Sequence, residues 1–181
     1  PLVEHKSTGI HGRGTEEVKT NDVSSRVGVG EAGYVIEFGR PGVGVRFADI
    51  EKMTVALANL NVTFEPKNPI THLMTDMSKG TLKEDLLQEK ILSAIVEIKT
   101  GIDEVSAVLD TVTEVSKQID TVIAVGVSTR CDEEGEDRRL APMLKELGYR
   151  FERAKTNMGL GRVTNAGARE EVGDQYAAPV R

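Results

Sequence analysis

The stretch Leu87–Ile119, LQEKILSAIVEIKTGIDEVSAVLDTVTEVSKQI, carries a regular row of apolar residues. Leu87, Ile91, Ala94, Ile98, Gly101, Val105, Val108, Val112, Val115 and Ile119 are spaced alternately four and three apart, and only Gly101 is not apolar. Such spacing keeps side chains on one side of a helix. Thr81 with Glu84 has the form of a capping box, so the pattern predicts a helical segment over 81–119. With Ile91 at heptad position a, Ile91, Ile98, Val105, Val112 and Ile119 share that position and are all β-branched, as parallel dimeric coils favour. The e positions include Ile95, Ile102 and Leu109. A face made of a, d and e has the width of a helix packing on a core. Ile91, Ile98, Val105, Val108, Val112 and Val115 are the candidate contacts for a partner surface.

Gly101 sets the geometry. One continuous helix from 87 to 119 would extend about 50 Å at about 1.5 Å per residue and would need a partner chain along part of its length. Thr100-Gly101 is a good stop and Asp103 a good start, so a helical hairpin turning at 100–103 would bury the same residues within one chain. A strand alternative exists too, because Ile95-Val96-Glu97-Ile98 and Val112-Thr113 are strand-friendly.

Outward from this stretch, residues 26–65 read as a small β-rich unit with one helix. Tyr34–Phe38 alternates as a strand, Arg40-Pro41-Gly42 is a turn, and Val43, Val45 and Phe47 alternate as a return strand, giving a β-hairpin over 34–47. Asp49 is placed to cap a helix from Ile50 to about Asn59, and Val62–Glu65 reads as a short strand. Pro66 and Pro69 introduce a connection over 66–80. On the C-terminal side, Val122, Ile123, Ala124, Val125 and Val127 form a run typical of a strand buried on both faces. Leu140, Met143, Leu144 and Leu147 have helical spacing, Gly148 ends that helix, and Tyr149 and Phe151 begin another strand. A strand–helix–strand unit of this size commonly forms a right-handed parallel crossover. The fold expected is α+β or α/β: an N-terminal β-hairpin and helix, a central long helix or helical hairpin, and a C-terminal βαβ unit, in one domain over 26–162. Residues 1–25 and 163–181 read as polar arms.

The 181 residues carry a net charge of −6, concentrated in 81–150. An acidic middle repels phosphate, and with no Trp, three Tyr and four Phe there are few stacking platforms for bases. Nucleic acid and anionic membranes are therefore not expected partners. No apolar run of transmembrane length exists, and a single cysteine fits a reducing compartment, so a cytoplasmic location is expected.

Chemistry is sparse. Gly28-x-Gly30-x-x-Gly33 matches a dinucleotide fingerprint, but that mechanism needs a strand before the glycines and a helix after them, and here a strand follows. Cys131 is followed by Asp132, Glu133, Glu134, Glu136 and Asp137, anions that disfavour a thiolate. The same acidic run does not have EF-hand spacing, zinc spacing is absent, and His72, Met74, Asp76 and Met77 suggest no role. No cofactor or metal is implied. The best ligand candidate is a rim where two parallel strands would end: Ser128, Thr129, Arg130 and Cys131 from one, and Thr156, Asn157 and Arg162 from the other. These residues suit a small anionic or polar ligand. The leading expectation is a non-catalytic, self-associating accessory, assembly or scaffold protein, with a ligand-binding or enzymatic domain at that rim as the alternative.

Overall fold

The computed structural model describes residues 26–40 and 42–151. They divide into two compact units, one holding 33–127 and the other 26–32 and 128–151.

The first unit is built on an alternating strand. In β1 (Glu31–Phe38), Tyr34, Ile36 and Phe38 point into the core and are almost fully buried, while Val35 and Glu37 are half-buried on the other face. β1 lies inside a four-stranded sheet of order β3-β7-β1-β8, with β3 at Thr63–Phe64, β7 at Ala94–Gly101 and β8 at Ile123–Thr129. Tyr34 Oη meets Thr100 Oγ1 near the end of β7, and Gly39 lies against Leu92 just before β7, so β1 and β7 are antiparallel. At the other edge of β1, Gly39 N–H donates to Val122 O just before β8, and Thr129 Oγ1 at the end of β8 donates to Glu31 O. β8 is therefore also antiparallel to β1. β3 pairs antiparallel with β7, with Thr63 opposite Lys99 and Phe64 opposite Ile98.

Two helices complete this unit. α1 (Phe47–Ala58) buries Phe47, Ile50, Met53 and Leu57, and α3 (Val105–Ser116) buries Val105, Val108, Leu109, Val112 and Val115. The two helices pack on each other. β1 and β3 are parallel with β7 between them and α1 in the connection. β7 and β8 are parallel with β1 between them and α3 in the connection. Two interlocked split β-α-β units result, a mixed α+β fold.

The central helix thus spans Val105–Ser116 rather than the whole of 81–119. The chain breaks at Gly101, passes through a 3-10 turn at Ile102–Glu104, and only then becomes α-helical. Before the break, 94–101 is strand β7, as the β-branched Ile95, Val96 and Ile98 favour. Five consecutive residues from Ala94 to Ile98 are buried, so both faces of β7 are covered. A strand with apolar residues on both faces has no clean alternation, and a helical period can be drawn through it.

The expected hairpin over 34–47 does not form, because both edges of β1 are already occupied by β7 and β8. The return segment shrinks to β2 (Val45–Arg46), which pairs with β6 (Lys90–Ile91) in a separate ribbon. Asp49 sits in the first turn of α1 and pairs with Lys52 instead of capping; the N-cap position is Arg46. The connection after β3 holds a short helix α2 (Pro69–His72) and a hairpin of β4 (Met74–Asp76) and β5 (Thr81–Leu82). Asn68 caps α2 with its side-chain oxygen and donates its amide to buried Glu97 Oε2 at 2.8 Å, which ties this connection to β7. Thr81 belongs to β5 and shares a hydroxyl contact with Thr75, so it is not a capping box. Gly80 is held in a left-handed conformation (φ +68°), where a Cβ would lie 2.2 Å from Thr54 O, so α1 and this hairpin touch backbone to backbone.

In the second unit, α4 (Leu140–Glu146) follows the loop after β8 and buries Leu140 and Leu144. Asp137 accepts three backbone N–H bonds, from Arg139, Leu140 and Ala141, and so serves the start of α4. Gly148, at φ +78°, ends the helix as its position predicts. Tyr149–Phe151 carries no strand, and the rest of the expected return strand lies outside the described residues. The expected arms at 1–25 and 163–181 also lie outside them.

Candidate interaction surface

The apolar row of α3 faces inward. Ile98, Val105, Val108, Val112 and Val115 are all less than about a tenth exposed, and only Ile91 on β6 is half-buried. These residues are buried within this chain, and α1 packs on α3.

Exposed apolar side chains gather elsewhere, around Gly39. Its backbone is left-handed (φ +78°), and a Cβ there would lie 2.7 Å from Gly44 C and 2.9 Å from Leu92 O. No other residue fits that contact. Gly39 N–H donates to Val122 O at 3.0 Å, and Gly39 O accepts from the N–H of Val43 and of Gly44. Thr121 Oγ1 closes the arrangement by donating to Gly44 O at 2.6 Å. Three separate segments thus meet at one glycine through their backbones. Each brings an exposed apolar side chain: Val43 at 46 %, Leu92 at 83 % and Val122 at 42 %. Leu92 gains nothing from folding this chain, since it remains almost as exposed as in an extended chain.

β8 continues from Val122. Among the described residues it is the edge of the sheet. The sequence pattern suggested burial on both faces, but Ala124, Val125 and Gly126 are exposed and Ile123 and Val127 only half-buried. A Cβ on Gly126 would sit 4.0 Å from Val35 Cβ, which places Ala124 and Gly126 on the Val35 face. Ile123, Val125 and Val127 therefore extend the face that carries Tyr34, Ile36 and Phe38. β8 contains no charged residue and no proline, the usual devices that discourage an edge from pairing.

Of the expected ligand rim, Ser128, Thr129, Arg130 and Cys131 lie among the described residues. Thr129 Oγ1 donates to Glu31 O at the start of β1, and Arg130 Nε donates to Val27 O, in the segment before it, at 2.6 Å. Ser128 is exposed, and Cys131 is half-buried. Thr156, Asn157 and Arg162 lie outside the described residues. Asp132 organises the loop that follows. Its carboxylate accepts the backbone N–H of Glu136 and of Glu134 and pairs with Arg138 at 2.6 Å. The Glu136 N–H, and then the Arg138 charge, hold this carboxyl below the usual aspartate range. The acidic run is therefore a loop closed on itself. No group of three or more His, Cys, Asp or Glu able to hold a metal ion occurs among the described residues.

A groove of about 410 Å³ opens between the end of α1, β3 and the Met77-Ser78 turn. Asparagine, serine and apolar side chains line it, and no titratable group does. The Ser78 hydroxyl in this lining donates to Asp76 Oδ1. No described helix is long and apolar enough to cross a membrane. Comparison with family models, with curated proteins and with solved structures finds no match for this chain.

Val43, Leu92, Val122 and Val125 were not legible as a surface. Val43 and Val122 occur in apolar runs that suggest strands, and only the Gly39 contact, made between segments distant in sequence, brings them together. The one available signal is the glycine pattern Gly39, Gly42, Gly44, which marks a tight backbone without showing what it packs against.

Proposed function

We propose that this protein is a non-catalytic, self-associating subunit that acts through protein–protein contacts. The observation that carries this reading is the apolar cluster fixed around Gly39, continuous along the chain with the uncharged edge strand β8. Exposed apolar groups held by a rigid backbone mark contact surfaces, because association then removes them from water at little cost in ordering. In the loop after β8, the other candidate site, Arg130 Nε donates to Val27 O and Asp132 accepts the Glu136 N–H.

Sedimentation velocity of the full chain at micromolar concentration tests the proposal. A reversible dimer or higher oligomer is expected. Leu92→Asp combined with Val122→Asp is expected to shift it towards monomer while the circular dichroism spectrum is retained, since both side chains are exposed. A monomer at tens of micromolar overturns the reading.

A further inference from the structure

We infer that the outer face of the β2–β6 ribbon docks an acidic segment of a second protein, one that presents a carboxylate beside an apolar side chain. This goes beyond self-association, since the occupant is not another copy of this chain. In the ribbon, Val45 lies opposite Ile91 and Arg46 opposite Lys90. Directly opposed residues project from the same face. Val45 is 1 % exposed, so its pair faces inward, and Arg46 and Lys90 are both exposed on the outer face. Like charges in that relation destabilise an antiparallel pair. Arg40, Lys52, Lys79 and Lys117 each meet a carboxylate three residues away. Among the described residues, no carboxylate forms an ion pair with Arg46 or Lys90.

Both cations are held in place. Gln88 O accepts from Arg46 Nη1 at 3.1 Å, which fixes the guanidinium and leaves its other N–H groups for an incoming acceptor. The Lys90 stem lies across Gly44, where a Cβ would come 3.0 Å from Lys90 Cε and 3.8 Å from its Cγ. Leu92, two residues beyond Lys90, remains 83 % exposed. A carboxylate that accepts from both cations neutralises the repulsion between them, and such charge-assisted bonds are stronger than neutral ones. A neighbouring apolar side chain on the same segment removes Leu92 from water. An inorganic anion satisfies the cations and leaves Leu92 exposed. A nucleic-acid backbone meets a chain of net charge −6 and brings no apolar side chain. A protein segment of mixed acidic and apolar character supplies both contacts. Screening over about 8 Å lets the local cation pair, rather than the distant net charge, govern its approach.

The test is fluorescence anisotropy of the full chain with a fluorescein-labelled peptide, Leu-Glu-Leu-Glu-Leu between Gly-Ser flanks. The chain is kept below the concentration at which it oligomerises, because Leu92 belongs to both surfaces. Saturable binding is expected, weaker by about tenfold for the same peptide with glutamine in place of both glutamates. Lys90→Gln is expected to cause a similar loss with the circular dichroism spectrum unchanged, since it removes a repulsion from an exposed position. Arg46→Gln is expected to act in the same direction, and Leu92→Ser to weaken binding several-fold. Binding is expected to weaken as salt is raised, whereas salt relieves the repulsion that opposes self-association, so the two readings fail separately. Equal affinity for the two peptides, or no effect of Lys90→Gln, overturns the inference and leaves self-association standing. Displacement of the peptide by inorganic phosphate at equal concentration overturns the protein partner in favour of a small anion. An oligomer that Lys90→Gln dissociates overturns it in favour of a second copy.

Discussion

Tyr34 is 2 % exposed, and its hydroxyl meets Thr100 Oγ1 at 3.2 Å where β1 crosses the end of β7. Burial raises its pKa above the usual 10.0, partly offset by the Thr100 hydrogen bond, and the Glu104 charge raises it further. A raised pKa means that the folded chain holds this proton more tightly than the unfolded one. The associated stability is intact below about pH 10 and is lost as pH rises through the folded value. Tyr34→Phe removes the titration. Because Thr100 Oγ1 also donates to Gly101 O, the variant leaves no orphaned hydroxyl and is expected to cost about 1 kcal/mol or less near pH 8. Above pH 10 the wild type loses that advantage and the difference shrinks or reverses. Urea unfolding of both chains on the two sides of pH 10 checks this. A difference independent of pH would show that Tyr34 does not titrate with unfolding.

At the scale of elements, α3 and β8 divide the apolar residues between core and surface. Val108 is fully buried, whereas Val125 is 38 % exposed. Val108→Ala is expected to destabilise the chain by about 2 kcal/mol through lost burial and a residual cavity, while Val125→Ala changes the stability of the isolated chain by about 0.5 kcal/mol or less. Thermal unfolding under dilute conditions, where association is minimal, separates the two. Equal effects would mean that β8 is as enclosed as the core. The contrast also shows what the sequence could and could not reveal. α3, α4 and β1 were readable because each buries one face and exposes the other, so periodicity survives in the residues. β7 was legible only as the strand alternative that Ile95, Val96 and Ile98 offered, since burial from Ala94 to Ile98 erases alternation and its spacing runs in phase with α3 through Gly101. β8 failed in the opposite sense: Val122–Val127 is as apolar as a central strand, yet among the described residues it occupies an edge. Edge or centre is decided by which strands reach β1 from distant parts of the chain, and no local pattern encodes that. For the same reason what two of the ligand-rim candidates hold, Thr129 on Glu31 and Arg130 on Val27, came only from tertiary structure.

At the scale of the whole molecule, charge opposes the association that the edge favours. Each copy carries −6, so two copies repel at long range, and the repulsion is screened over about 8 Å at physiological salt but over about 30 Å at 0.01 M. The proposed contact surface is itself uncharged from Ile123 to Thr129. Burial of Val122, Val125 and Leu92 does not depend on Debye screening, and added salt leaves it intact. Screening therefore relieves the net repulsion more than it weakens the joint, and association is expected to strengthen several-fold between about 0.02 M and about 0.2 M sodium chloride. Sedimentation equilibrium across that range measures the dissociation constant directly. Tightening with salt fits an apolar joint between like-charged copies. Weakening over the same range would place the contact on complementary charged patches instead, and the Gly39 cluster with β8 would then be the wrong surface.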